Sequence, residues 1–411
     1  MNILFLTPQL PYPPQKGTAL RNWGLIANLA RCHRVSLLSF LAPGQDPHPA
    51  PLLTAACAHV ETIPQPARPL SHRLRDLALA RQPDIALRLG SETYARRLED
   101  YLTREPFDVV HIEGIELAPY LDVVEMAQPR PLIIFDDHNC EYLLQQRAFL
   151  TDLRIPARWP GAAYSFIQWL RLRRYEAQVC RRAGHVLTVS EADAAALRKL
   201  IPDLDVTVIP NGIDTRTYAA PHPHTPTLPH SSPPTLVFTA TMDFRPNVDA
   251  VLWFARKVLP RIRAEAPEAH FLAVGQRPHR RLDVLRGDPG VTLTGWVEDT
   301  RPYIAQAAVY VVPLRMGGGT RLKLLEAMAM GKSVVATRLG AEGYPVTHER
   351  ELLLADTPAD FAAAVVSLLR APERRAELGR VARAFVEQRY DWRVIVPRVE
   401  AVYRIGDRNR G

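Results

Sequence analysis

The chain has 411 residues, 47% of them hydrophobic and 23% charged, with a net charge of +8. That length exceeds what a single core organises, so two globular domains are predicted, and the composition excludes a disordered or fibrous chain. Residues 1–215 carry equal numbers of cationic and anionic side chains, so the whole positive excess lies in the remainder, where it suits a domain holding a polyanion such as a diphosphate.

The first element, Asn2–Thr7 (NILFLT), reads as a strand rather than a signal peptide, because it is short and lacks a basic flank. Further strands are predicted at 35–41, 109–112, 132–135, 186–189 and 206–209, with helices at 18–30, 162–182 and 191–200. Thr217–Thr235 contains six prolines and no charged residue, which predicts an extended linker. His222, His224 and His230 lie within it without the Cys or carboxylate that would complete a metal site. Beyond the linker, strands are predicted at 236–239, 271–274, 291–293, 309–312 and 333–336, and helices at 248–264, 321–330 and 360–369. Continuous apolar strands alternating with helices predict α/β domains with parallel sheets covered on both faces. No apolar run reaches the roughly 18 residues of a membrane span. Cys32, Cys57, Cys140 and Cys180 show no metal-type spacing, as expected of a reduced, cytoplasmic protein. No recognition helix, zinc finger or aromatic RNA-binding signature accompanies the charge, so nucleic acid is not an expected partner.

Met316–Thr337 (MGGGTRLKLLEAMAMGKSVVAT) is the most informative stretch. Gly317, Gly318, Gly319 and Thr320 open a loop whose backbone can approach an anion without Cβ obstruction. The helix that follows offers free N–H groups and a positive dipole end. Arg321 and Lys323 add charge-assisted bonds, and Glu326, one turn deeper, suits a pair of sugar hydroxyls. Gly331-Lys332-Ser333 imitates the end of a P-loop, but a helix runs into Gly331 and a strand leaves it, the reverse of the P-loop order. Gly331 therefore reads as a helix C-cap.

Taken in order, PYPPQKGTALRN, DVVHIEG, FDDHNCEY, TVSEADAAAL, VIPNGID, MDFRPNVDAV, LTGWVEDTRPYI and the Met316–Thr337 segment resemble the family 4 retaining glycosyltransferases of the GT-B fold over nearly the whole chain. The resemblance implies two doubly wound Rossmann-like domains facing a central cleft. It divides the chain into an acceptor-binding domain at 1–216, a linker at 217–235, a nucleotide-sugar domain at 236–388, and a C-terminal helix at 389–411 crossing back to the first domain. It also implies hexosyl transfer from a UDP- or GDP-sugar to a glycan or lipid-linked acceptor, with retention of configuration and with no metal or other cofactor.

Residue by residue, the resemblance makes His138 the active-site histidine and Glu326 the ribose-binding residue. The diphosphate is expected to meet Arg245, Arg321, Lys323, the Gly317–Thr320 loop and Gly17. Trp296 and Val297 stand at the base, and Lys16 and Glu141 at the acceptor. Two departures stand out: Gly318 occupies the position of a glutamate found in many members, and Pro246-Asn247 replaces a common Lys-Gly pair. Arg154–Arg182 is rich in arginine with Trp159, Phe166 and Trp169 interspersed, a pattern expected of peripheral membrane contact or of a solvated helix face. A sugar-nucleotide epimerase and a non-catalytic sugar-nucleotide binder are the alternative functions.

Overall fold

Strands that are apolar on both faces require cover on both sides, and the chain meets that requirement twice. The computed structural model describes residues 1–14, 17–46, 48, 50–219 and 233–408, and places them in two units. Unit 1 comprises Met1–Gly212 with the segment from Trp392 onward; unit 2 comprises Ile213–Asp391.

Unit 1 contains β1 (Asn2–Thr7), β2 (Arg34–Leu41), β3 (His59–Pro64), β4 (Val109–Glu113), β5 (Leu132–Asp137), β6 (His185–Thr188) and β7 (Val206–Val208). They form one parallel sheet ordered β3-β2-β1-β4-β5-β6-β7. Ile3 pairs with both Val35 and Val109, which fixes β1 beside β2 and β4. Ile3 and Phe5 enter one core, whereas Leu4 and Leu6 enter the other, so both faces of the sheet are buried.

Unit 2 contains β8 (Thr235–Thr239), β9 (His270–Val274), β10 (Val291–Leu293), β11 (Val309–Val312), β12 (Val334–Ala336) and β13 (Leu353–Leu354), ordered β10-β9-β8-β11-β12-β13. In each unit the strand order reverses once, beside β1 and beside β8. The ligand crevices of such sheets lie outside the carboxyl ends at that reversal.

Several expectations are corrected. The unit boundary falls at Gly212 rather than at residue 216, because Ile213–Tyr218 bonds into unit 2: the Ile213 amide donates to Tyr390 O at 2.8 Å, and the Thr215 hydroxyl to Asp391 at 2.5 Å. The helix expected at 248–264 is instead Arg245–Trp253, a π-turn at Phe254–Val258, and Leu259–Glu265. Pro260 has no N–H to offer the carbonyl one turn back, and the ladder widens there. Two strands were not expected: β3 lacks the continuous apolar run of its neighbours, and β13 is only two residues long. Gly331 has φ +66° and donates to Met328 O at 2.9 Å, the expected helix stop. The linker's histidines and most of its prolines lie outside the described residues, as does Lys16.

Candidate functional site

In unit 2 the loop after β8 leads into the helix Arg245–Trp253, and the loop after β11 runs through three glycines into the helix Leu322–Ala329. Gly317 and Gly319 have φ of +104° and +79°, left-handed backbone that favours glycine, and a Cβ on Gly317 would press on Pro246 Cγ at 3.3 Å. Arg321 stands just before the first helical residue, and its guanidinium donates to the Gly318 carbonyl, folding back over the loop. Lys323 Nζ donates to Asn247 Oδ1 at 3.1 Å and lies 4.4 Å from the centroid of the Phe238 ring. Asn247 is itself held by its amide on Thr241 O at 2.9 Å. Pro246-Asn247 thus supplies a wall for the glycine loop and a partner for the lysine.

Burial pushes the Lys323 ammonium down to about 7, with Arg321 adding repulsion and Glu326 opposing both. Burial also raises the Glu326 carboxyl, against the pull of a hydrogen bond from Tyr218 and of the Lys323 charge. That bond runs from the Tyr218 hydroxyl to Glu326 Oε1 at 3.1 Å. A strand-edge crevice therefore gathers a glycine loop, a helix N-terminus, two cations and a carboxylate. An anion is favoured at the helix end and a diol beside the carboxylate.

The remaining donor-side candidates lie around this crevice or away from it. Arg245 is the exposed first residue of its helix. Gly295 follows β10 with φ +74°, Trp296 is 69% exposed, and Val297 packs against the unit 2 core. The indole is therefore no core residue and is open to a stacking partner. Gly17, expected at the diphosphate, is the exposed first residue of the helix Gly17–Leu29 in unit 1.

In unit 1, His138 follows β5 and is half-buried, with its Nδ1 enclosed and without a hydrogen-bond partner. It lies against Gly114, the residue after β4. A Cβ there would meet His138 Cε1 and Glu116 Oε2, each at 2.8 Å, and φ at Gly114 is +86°. Asp136 and Asp137 point to opposite faces, as strand geometry predicts. Asp136 is buried against Arg21, 2.7 Å away, which together with His111 outweighs burial and lowers its carboxyl to about 2. His111 Nε2 lies 3.2 Å from Glu113 and 3.5 Å from Asp136, while its Nδ1 meets the Tyr403 hydroxyl at 2.7 Å. Burial would lower the His111 pKa, but the two carboxylates raise it.

Asp137 faces Glu176, and burial with neighbouring carboxylates raises its pKa. The Glu176 oxygens accept the backbone N–H groups of Glu141 and Tyr142 at 2.8 and 2.9 Å, capping the helix Glu141–Leu153. Glu141 is thus the first residue of a helix capped by another side chain. Burial, Glu116 and Glu176 push its own carboxyl up to about 8. Sequence reasoning missed Arg21, His111, Glu113, Glu176, Tyr218 and Tyr403; apart from the His111–Glu113 contact, the partners described for them lie far away in sequence.

Known proteins resemble both units. Residues 16–212 match the family described as glycosyl transferase 4-like domain, and residues 233–371 that described as glycosyl transferases group 1. The phosphatidyl-myo-inositol mannosyltransferase of Mycolicibacterium smegmatis is 28% identical over 77% of this chain and 76% of its own length. A GDP-mannose-dependent mannosyltransferase acting on monoacylated α-(1-6)-phosphatidylinositol monomannoside, from Corynebacterium glutamicum, is 28% identical over 46% of this chain and 54% of its own. Among solved structures, Anabaena Alr3699/HepE in complex with UDP and glucose has a TM-score of 0.65 at 17% identity, covering 98% of this chain and 99% of that one. Sucrose-phosphate synthase from Thermosynechococcus elongatus has 0.68 at 18%, covering 98% of each. The structural likenesses establish the fold, and the two family matches lie one on each doubly wound unit. This chain belongs to the group 1 glycosyl transferases and is a glycosyltransferase of the GT-B type.

Proposed function

We propose that the chain transfers a hexosyl group from a UDP- or GDP-sugar to a hydroxyl of a glycan or lipid-linked acceptor, with retention of configuration and no metal ion. The observation that carries this reading is the crevice of unit 2, where Gly317–Thr320, Arg321, Lys323 and Glu326 converge on one helix end. The anomeric carbon–oxygen bond to the diphosphate breaks as the acceptor oxygen bonds the same carbon on the same face. The acceptor proton passes to the departing phosphate oxygen. Negative charge then grows on the diphosphate, where Arg321, Lys323 and the helix dipole are already in place. These cations supply the charge that a divalent ion would otherwise bring. His138 polarises the acceptor hydroxyl from unit 1. The test is His138→Ala, which should bind UDP- and GDP-sugars like the wild type, as read by thermal shift, while losing transfer. Equal loss of donor binding and transfer would remove His138 from this role. Sugar isomerisation without an acceptor would instead favour an epimerase.

Lipid-linked acceptors, the class named for the mycobacterial and corynebacterial relatives, are favoured by a surface of unit 1. The helices Leu70–Leu79 and Glu141–Leu153 bury none of their residues. Trp159, Phe166, Ile167 and Leu170 share the exposed face of the helix Trp159–Arg182, which continues into Arg173 and Arg174. Leu150, Leu153 and Ile155 adjoin it through the Phe149–Phe166 contact and the Trp159 Nε1 bond to Leu153 O at 3.2 Å. Arg171 ties in the Leu70–Leu79 helix by donating to its Asp76 and Leu77 carbonyls at 3.2 and 2.6 Å. Apolar side chains rimmed by arginine suit the cytoplasmic face of an anionic bilayer. No helix among the described residues is long and apolar enough to cross one.

A further inference from the structure

We propose that Tyr218 is a positioning residue for the donor ribose, its hydroxyl fixing one oxygen of Glu326 so that the other is presented to the ribose diol. This rests on the reading of Glu326 as the ribose carboxylate.

The phenol is held where it is. The segment that carries it is fastened to unit 2 along its length. The Asp214 carboxylate accepts the Arg216 amide at 3.0 Å and the Thr217 hydroxyl at 2.7 Å. Thr215 bonds Asp391. Arg301, itself paired with Asp299 at 2.7 Å, donates to the Thr217 carbonyl at 3.3 Å. The Tyr218 ring then packs against the unit 2 core, and its hydroxyl reaches Glu326 Oε1 at 3.1 Å. A carboxylate has about four lone-pair sites on its two oxygens. One donor on Oε1 leaves Oε2 unencumbered and restricts rotation of the group. Two vicinal ribose hydroxyls then meet an acceptor whose orientation is set before they arrive, which lowers the ordering cost of binding.

The same bond bears on charge. Glu326 is faced by Lys323 from its own helix, by Asp299, by Tyr310 of β11, by Tyr344, and by Tyr218. Burial favours the neutral acid, and the Tyr218 hydrogen bond opposes it. Removing the hydroxyl therefore leaves a carboxyl that protonates at higher pH and accepts a ribose hydroxyl less well.

The experiment compares wild type, Tyr218→Phe, Glu326→Gln and the double variant, titrated by calorimetry with UDP, GDP and the 2′,3′-dideoxy form of whichever binds. Phe keeps the packed ring and removes only the hydroxyl. Tyr218→Phe should weaken binding of the intact nucleotide roughly three- to tenfold, about the net worth of one ordinary hydrogen bond, since the lost bond acts on the ribose only through Glu326. It should leave the dideoxy nucleotide unchanged, and the acid limb of the binding profile should move to higher pH. It should add nothing in the Glu326→Gln background. Unchanged binding by Tyr218→Phe beside a weakened Glu326→Gln overturns the role of Tyr218 alone. Tighter binding also overturns it, because the hydroxyl would then compete with ribose. Wild-type binding by Glu326→Gln overturns the ribose assignment itself, whatever Tyr218 does.

Discussion

Lys323 enters its site with a pKa near 7 because burial and Arg321 both disfavour its charge. A bound diphosphate reverses that balance by placing anionic oxygens beside the amine. At pH 8 the lysine of the nucleotide-free protein is largely neutral and becomes charged on binding. UDP or GDP binding should therefore take up close to one proton. The uptake should fade below about pH 6, where the amine is already protonated. Calorimetry in buffers of different ionisation enthalpy measures this, and Lys323→Met should abolish it. Wild-type proton uptake in that variant would assign the titration to another group. Arg321 and Lys323 were both legible in the sequence, because a glycine loop running into a cationic helix start is a local pattern. Asn247, the lysine's partner, was not, since only the fold brings the loops after β8 and β11 together.

Among the described α-helices, Leu70–Leu79 and Glu141–Leu153 bury none of their residues completely. Short helices are marginal in water without tertiary packing, so a bilayer that covers their apolar side chains would stabilise them. Each cation near an anionic leaflet contributes about 1 kcal/mol and is screened by salt. The protein should co-sediment with vesicles rich in anionic lipid at low salt and be released at high salt. Trp159→Ser/Phe166→Ser should reduce that binding severalfold. Equal recovery in the supernatant with anionic and neutral vesicles would leave these helices as a solvated face. Arg154–Arg182 announced its charge in the sequence. That Phe166, Ile167 and Leu170 face outward while Leu172 and Val179 face the core was decided by packing. Helix periodicity names a face but does not say which partner covers it.

At the scale of the whole molecule, the chain returns to unit 1 through the helix Trp392–Arg408. Trp392 is the plug of that return. A Cβ on Gly24 would lie 2.0 Å from its indole, and one on Gly212 2.6 Å. Trp392→Ala should cost about 3–5 kcal/mol through the cavity it leaves. For a unit of this size that is roughly 2–4 °C of melting temperature per kcal/mol. Scanning calorimetry should show unit 1 destabilised while UDP affinity, which the proposed donor site assigns to unit 2, is retained. An unchanged melting profile would mean that the C-terminal helix contributes little to unit 1.

Both sheets were largely foreseeable, since β1, β4, β5, β8, β9 and β11 are apolar runs bounded by polar turns. So was the Gly317–Glu326 crevice, whose parts lie within one loop and one helical turn. These features are local, and local backbone preference and periodicity encode them directly. What only the tertiary structure decided joins residues far apart in sequence: Arg21 with Asp136, His111 with Tyr403, Glu176 with the start of the Glu141–Leu153 helix, and Tyr218 with Glu326. No spacing rule relates such pairs. Each exists because a buried polar group must find a partner and the topology of the sheet determines which one is within reach.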